Sequence, residues 1–166
     1  MPKAAKSKAA GKPLELAVIF VGDIVCGVET RLVKEINKNL SFTVVPGARR
    51  CIRGILNLRG QILTVIDLRD RLGLEPLPLD PHMRVVVISD RGEDIGLLVD
   101  GVADVVLGDE RNIEPPPSNI NAVEGVFFTG ILKMDDRLVA VLDINEVLRF
   151  ETMPPSEDNR SPGLER

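Results

Sequence analysis

The chain has 166 residues, 44% of them hydrophobic, but no Trp, no Tyr and only five Phe. That length supports one ordinary domain whose core is built from Val, Ile and Leu, and it leaves no aromatic platform for stacking single-stranded nucleic-acid bases. Net charge is −4, yet residues 1–13 hold four lysines and no acid, so the remainder carries −8.

Residues 1–13, "MPKAAKSKAAGKP", read as a basic, disordered, solubilising tail. A short arm of this kind can also touch nucleic acid or an anionic membrane. No apolar h-region of secretory length follows the lysines, and no later run approaches the roughly 18 apolar residues that span a bilayer. A soluble, cytoplasmic protein is expected. "LELAVIFV" (14–21) and "IVCGVE" (24–29) flank a Gly-Asp turn and read as a hairpin. "TRLVKEI" (30–36) fits either one helical turn or an irregular strand. "SFTVVP" (41–46) is strand-like and stops at Pro46-Gly47. "GILNL" and "QILTVI" form a second hairpin with Arg59-Gly60 at its turn. "RVVVISD" (84–90) and "DIGLLVDGVADVV" (94–106) make another strand pair, and "EPPPSNI" (114–120) an extended loop. "VFFTGILKM" and "RLVAVLDI" close the fold around "DDR" (135–137). Helix is scarce, with "INEVLRF" (144–150) the best candidate. Residues 151–166, rich in Pro, Ser and acids, read as disordered.

An internal repeat organises these elements. A shift of 76 positions places Gly54-Ile55-Leu56 on Gly130-Ile131-Leu132, Val65 on Val141, Asp67 on Asp143 and Leu72 on Leu148. A weaker echo at 69 places Ile19 on Ile88, Gly27 on Gly96 and Val33 on Val102. Two β-rich halves, roughly 14–80 and 81–150, follow from this, each suited to a small barrel that closes its own edges.

The repeat presents one Asp per half, which invites comparison with the paired carboxylates of a hydrolase. Asp67 and Asp143, however, each open a stretch with an acid three residues on, the pattern of a capping box, and lack the small hydroxyl residue and Gly of such a dyad. No nucleophile elbow, phosphate loop or metal-spaced cluster is present. His82 is the sole histidine, and Cys26 and Cys51 read as buried free thiols. A non-enzymatic scaffold without cofactor or metal is expected. Arg59, between two aliphatic runs, fits either a solvated turn or a planar fork for an interface carboxylate. Its repeat equivalent is Asp135, so the turn chemistry differs between the halves.

The stretch "GILNLRGQILTVIDLRDRLGL" (54–74) resembles the CheW family of chemotaxis coupling proteins. The likeness extends to "FVGDIVCGVETRLVKEI", "IGLLVDGVADVV" and "TGILKMDDRLVAVLDINEVL", and so covers about residues 14–150. The resemblance implies a mainly β fold of two intertwined five-stranded barrels with a short C-terminal helix. It implies a non-catalytic adaptor between the cytoplasmic tip of chemoreceptors and the regulatory domain of the histidine kinase CheA, with no nucleic-acid partner and no membrane insertion. Related adaptors serve gliding and twitching systems or compete for the kinase domain. Positions matching those tied to receptor or kinase coupling are Val33, Glu35, Gly54 and Arg59, with Asn57 and Gly60 completing the motif. The sequence departs from the family pattern at Thr64, where Pro is usual, and at Cys26, where an aromatic is common.

Overall fold

A computed structural model describes residues 11–149; most of the basic tail and all of the acidic one lie outside the described residues. The first half supplies β1 (Pro13–Val21), β2 (Ile24–Glu29), β3 (Val33–Asn37), β4 (Ile52–Leu58) and β5 (Gln61–Asp67), followed by the single-turn helix α1 (Leu68–Arg71). The second half supplies β6 (Arg84–Asp90), β7 (Glu93–Val99), β8 (Gly101–Asp109) and β9 (Ile113–Glu114). It continues with the small hairpin β10 (Asn119–Ile120) and β11 (Val123–Glu124), then β12 (Phe128–Lys133), β13 (Leu138–Leu142) and α2 (Ile144–Val147). The fold is mainly β, as expected.

The strands form a five-stranded sheet in the order β3-β6-β7-β5-β4 and a six-stranded sheet in the order β8-β1-β2-β13-β12-β9. Each sheet therefore mixes strands from both halves. Under the 76- and 69-residue shifts β4 and β5 correspond to β12 and β13, while β1, β2 and β3 correspond to β6, β7 and β8. The two sheet orders are then the same order with the halves exchanged. Even the parallel pairings match: β5 lies beside β7, and β13 beside β2. The expected barrels are intertwined, but one has six strands, and the edge strands of neither sheet pair with each other. The chain itself completes the curl. Thr43, beyond β3, exchanges backbone hydrogen bonds of 2.9 and 2.8 Å with Ile55 of β4. Its counterpart is the two-residue β9, which pairs with β12.

Two expectations need correction. "SFTVVP" forms no strand; only Thr43 bridges, because Asn37 and Asn39 side chains turn the chain by accepting from the Asn39 and Ser41 amides. "DIGLLVDGVADVV" is not one strand. It breaks at Asp100, where the chain leaves the five-stranded sheet and enters the six-stranded one. The undecided "TRLVKEI" is both alternatives in sequence, a 3-10 turn over Thr30–Leu32 and then β3.

Packing explains the aliphatic runs. Leu56, Leu63, Val65, Val85, Val87 and Leu98 fill the interior of the five-stranded sheet. Leu16, Val18, Val106, Leu132 and Val139 do the same for the six-stranded one. Between the sheets lies a third and larger core that includes Ile19, Ile66, Val86, Ile88 and Leu97. Strands such as "RVVVISD" are thus covered on both faces, which is why they read as continuous rather than alternating. Gly27 and Gly96, matched by the repeat, sit where an added Cβ would lie 2.9 Å from Leu16 and 2.7 Å from Val85 respectively. Both cysteines are buried and free, and burial pushes the Cys26 thiol up to about 12.

Candidate functional site

The hairpin of β4 and β5 turns on two residues, Arg59 at φ 53° and Gly60 at φ 85°, with Leu58 opposite Gln61. Positive φ at both central positions is the type I′ geometry that suits strand twist. Glycine enters it freely, and the Asn57 side chain steadies it by accepting from the Gly60 amide at 2.9 Å. Asn57 and Gly60 are therefore turn formers. Their sequence dictates where Arg59 projects.

Arg59 donates to the carboxylate of Glu35, 24 residues away on β3. β3 and β4 are opposite edges of the five-stranded sheet, so this ion pair spans the seam at which the sheet curls on itself. Gly54 lies on the same seam. Its φ is 153°, and a Cβ there would stand 2.5 Å from the Thr43 carbonyl oxygen. Five of the six candidate residues thus build one edge-to-edge junction. Val33 stands apart. A bulge between Val33 and Glu35 sets Val33 opposite Ile88, on the side of the core between sheets, and Glu35 opposite Val87, on the interior side.

The hydrogen bond from Arg59 holds the Glu35 carboxyl below the usual glutamate value, against a smaller opposing effect of burial. With the folded pKa lowered, the pair's contribution is present above the ordinary glutamate pKa and is lost as pH falls through the lowered value. Glu35 is expected to titrate below 4.5 in an NMR titration and to move upward in Arg59→Ala. An unchanged Glu35 pKa in that variant would mean the pair does not form in solution.

The six-stranded sheet carries a counterpart that sequence reading missed. Arg137, just beyond the β12–β13 tip, reaches Asp104 of β8 at 3.1 Å. Asp104 is the 69-residue equivalent of Glu35, so the recurrence of an acid there was an available signal. Ile62 lies directly opposite Asn57 and is 57% exposed, which leaves apolar surface beside the Arg59 turn.

The rejected carboxylate dyad has other duties. Asp67 accepts from the Arg69 amide at 3.0 Å and pairs with Arg53 at 2.9 Å, and Asp143 accepts from the Glu146 amide at 3.2 Å. Among the described residues no group of three or more His, Cys, Asp or Glu is placed to hold a metal. A concavity of about 760 Å³ opens elsewhere, between Val25, Ile131 and Leu138 of the six-stranded sheet and Ile120 of the β10–β11 hairpin.

The signature residues of this exchanged double β scaffold build a seam and a projecting arginine, the make-up of a β-sheet scaffold protein. Comparison with known proteins makes the class specific. The CheW-like domain model matches residues 15–152, and the chain belongs to that family, whose members are non-catalytic chemotaxis scaffolds. It is 33% identical over 138 residues to chemotaxis protein CheW of Bacillus subtilis, covering 83% of this chain and 88% of the relative. It is 35% identical over 140 residues to a probable chemotaxis protein CheW of Rhizobium etli, with the same coverages. The crystal structure of the scaffolding protein TtCheW from Thermoanaerobacter tengcongensis superposes with a TM-score of 0.73 at 33% identity, covering 80% of this chain and 90% of that one.

Proposed function

We propose that this chain couples the cytoplasmic tip of chemoreceptors to the regulatory domain of the histidine kinase CheA, in the cytoplasm beneath the membrane, and that the Arg59 turn and the nearby sheet junction are its contact region. The observation that carries the reading is the state of Arg59. Its side chain is 71% exposed although Glu35 already orients it, so most of its donors face outward on a preset fork. Exposed Ile62 supplies adjoining apolar surface, to which the apolar stripe of a helix is suited. No helix among the described residues is long and apolar enough to cross a membrane.

The test is binding of Arg59→Ala and Arg59→Lys to a receptor cytoplasmic-tip fragment and to the kinase regulatory domain, alongside thermal melting. An exposed ion pair is worth roughly 0–1 kcal/mol, so both variants are expected to melt almost normally. Loss of charge-assisted contacts with a partner is expected to weaken binding by about 1–3 kcal/mol, and Lys to restore only part of it. Undiminished binding by Arg59→Ala would remove Arg59 from the interface.

A further inference from the structure

The chain changes sheets at two places that the 69-residue shift relates, from β2 to β3 and from β7 to β8. They are built differently. At the first, Arg31 pairs only locally, with Glu29 two residues away, and is 72% exposed. At the second, Asp100 is the single residue between strands, and its carboxylate gathers three elements. It accepts from the Gly22 amide in the β1–β2 turn at 2.8 Å. It also receives Arg69 of α1, whose Nε lies 3.0 and 3.1 Å from its two oxygens and whose Nη2 lies 3.0 Å away. Arg69 in turn donates to the Glu75 carbonyl at 2.7 Å, which anchors it to the chain leaving α1. The Asp100 amide donates to the Phe20 carbonyl at 2.9 Å. Both side chains are largely buried, at 16% and 21% exposure, so the pair is less screened than the surface pair at Arg31.

We propose that Asp100 and Arg69 form a latch between the two sheets, and that they are positioning residues for partner docking because they set how the crossover at Phe20 and Val102 lies against the core between the sheets. Val33 and Val102 begin the strands just past the two crossovers and pack against the core between the sheets. Phe20 lies beside the Asp100–Gly101 link, 3.5 Å from where a Cβ on Gly101 would stand. The role in docking rests on the coupling function proposed above; the latch itself rests on geometry.

The experiment uses the full chain with Asp100→Asn, Asp100→Ala, Arg69→Lys and the control Arg31→Ala. Residual dipolar couplings report the relative orientation of the sheets, amide exchange reports the Gly22 bond, and titration with a receptor cytoplasmic-tip fragment reports docking. Asp100→Ala is expected to speed Gly22 exchange by about tenfold or more and to reorient the sheets, with each sheet's own couplings unchanged. Asp100→Asn keeps an acceptor for Gly22 but loses the bidentate ion pair, so it is expected to reorient the sheets while Gly22 stays protected. Docking is expected to weaken about tenfold in both, to recover in part in Arg69→Lys, and to be normal in Arg31→Ala. Should Asp100→Ala fail to fold, Asp100→Asn and Arg69→Lys carry the test. Unchanged sheet orientation in the Asp100 variants would overturn the latch, and changed orientation with normal docking would overturn its positioning role. If the unaltered chain does not bind the fragment, the coupling function fails instead, and the couplings alone decide the latch.

Discussion

Gly54→Val is expected to be among the most damaging single changes in the chain, lowering the melting temperature by about 6–20 °C or preventing folding. The side chain would be forced into a backbone conformation at φ 153°, which costs about 1–3 kcal/mol. Its Cβ would also meet the Thr43 carbonyl oxygen at 2.5 Å, a backbone atom with no rotamer by which to retreat. Relief requires spreading the Thr43–Ile55 pair, whose two hydrogen bonds are worth about 1 kcal/mol each. The total is on the order of 3–5 kcal/mol, a large part of the 5–15 kcal/mol typical of a domain, and at about 2–4 °C per kcal/mol it gives the shift stated. Gly47 provides the control. It too has positive φ, 79°, but nothing lies within 4 Å of its Cβ position. Gly47→Ala is therefore expected to cost only about 1 kcal/mol. If Gly54→Ala proves as mild as Gly47→Ala, lack of space at the seam is not the cause.

Arg71→Met is expected to destabilise the protein by about 2–4 kcal/mol while leaving the interior of the five-stranded sheet folded. Arg71 is 8% exposed and ends α1, yet its guanidinium serves α2: Nε donates to the Val147 carbonyl at 2.6 Å and Nη2 to the Glu146 carbonyl at 2.8 Å. Its charge lies 4.8 Å from the centre of the Phe127 ring. Methionine matches the stem but leaves the Val147 carbonyl without its charged donor in a buried site. Lysine keeps a charge but has no fork for two carbonyls, so Arg71→Lys is expected to recover less than half of the loss. The measurement is chemical denaturation with amide exchange. Loss of protection is expected first in α2, whose C-terminal end depends on Arg71, and an even loss across all strands would contradict the assignment.

These two residues show unequal legibility. Gly54 was visible in the sequence because its repeat partner, Gly130, meets the same demand: a Cβ there would lie 2.4 Å from Ile113 and 2.7 Å from the Glu114 carbonyl. Both glycines let the chain beyond an edge strand approach a hairpin. Arg71 carried no such signal. Its repeat equivalent is Val147, one of the residues it holds, and nothing in "DLRDRLGL" distinguishes a buried cation from a solvated one. The candidate site divides in the same way. The Arg59-Gly60 turn, with Asn57 before it, follows from neighbouring residues. The pairing of Arg59 with Glu35 is absent from the sequence reading, which leaves Arg59 either a solvated turn residue or a fork for an interface carboxylate.

What the sequence by itself determined was local: strand-forming runs, turn positions, capping aspartates, the repeat and the family signature. The runs, turns and caps depend on residues within one turn or one strand of each other, where side-chain period and backbone preference act directly, and the repeat and the signature are read by matching such short stretches. The tertiary structure decided which half supplies which strand, where "DIGLLVDGVADVV" breaks, and which carboxylate each buried or seam arginine meets. A two-residue hairpin brings only neighbouring strands together. The parallel pairings of β5 with β7 and of β13 with β2 instead join opposite halves of the chain. They are selected by burying both faces of each sheet at once, a condition on the whole chain. Asp100 and Arg69, 31 residues apart, come within hydrogen-bonding distance only after that exchange has taken place.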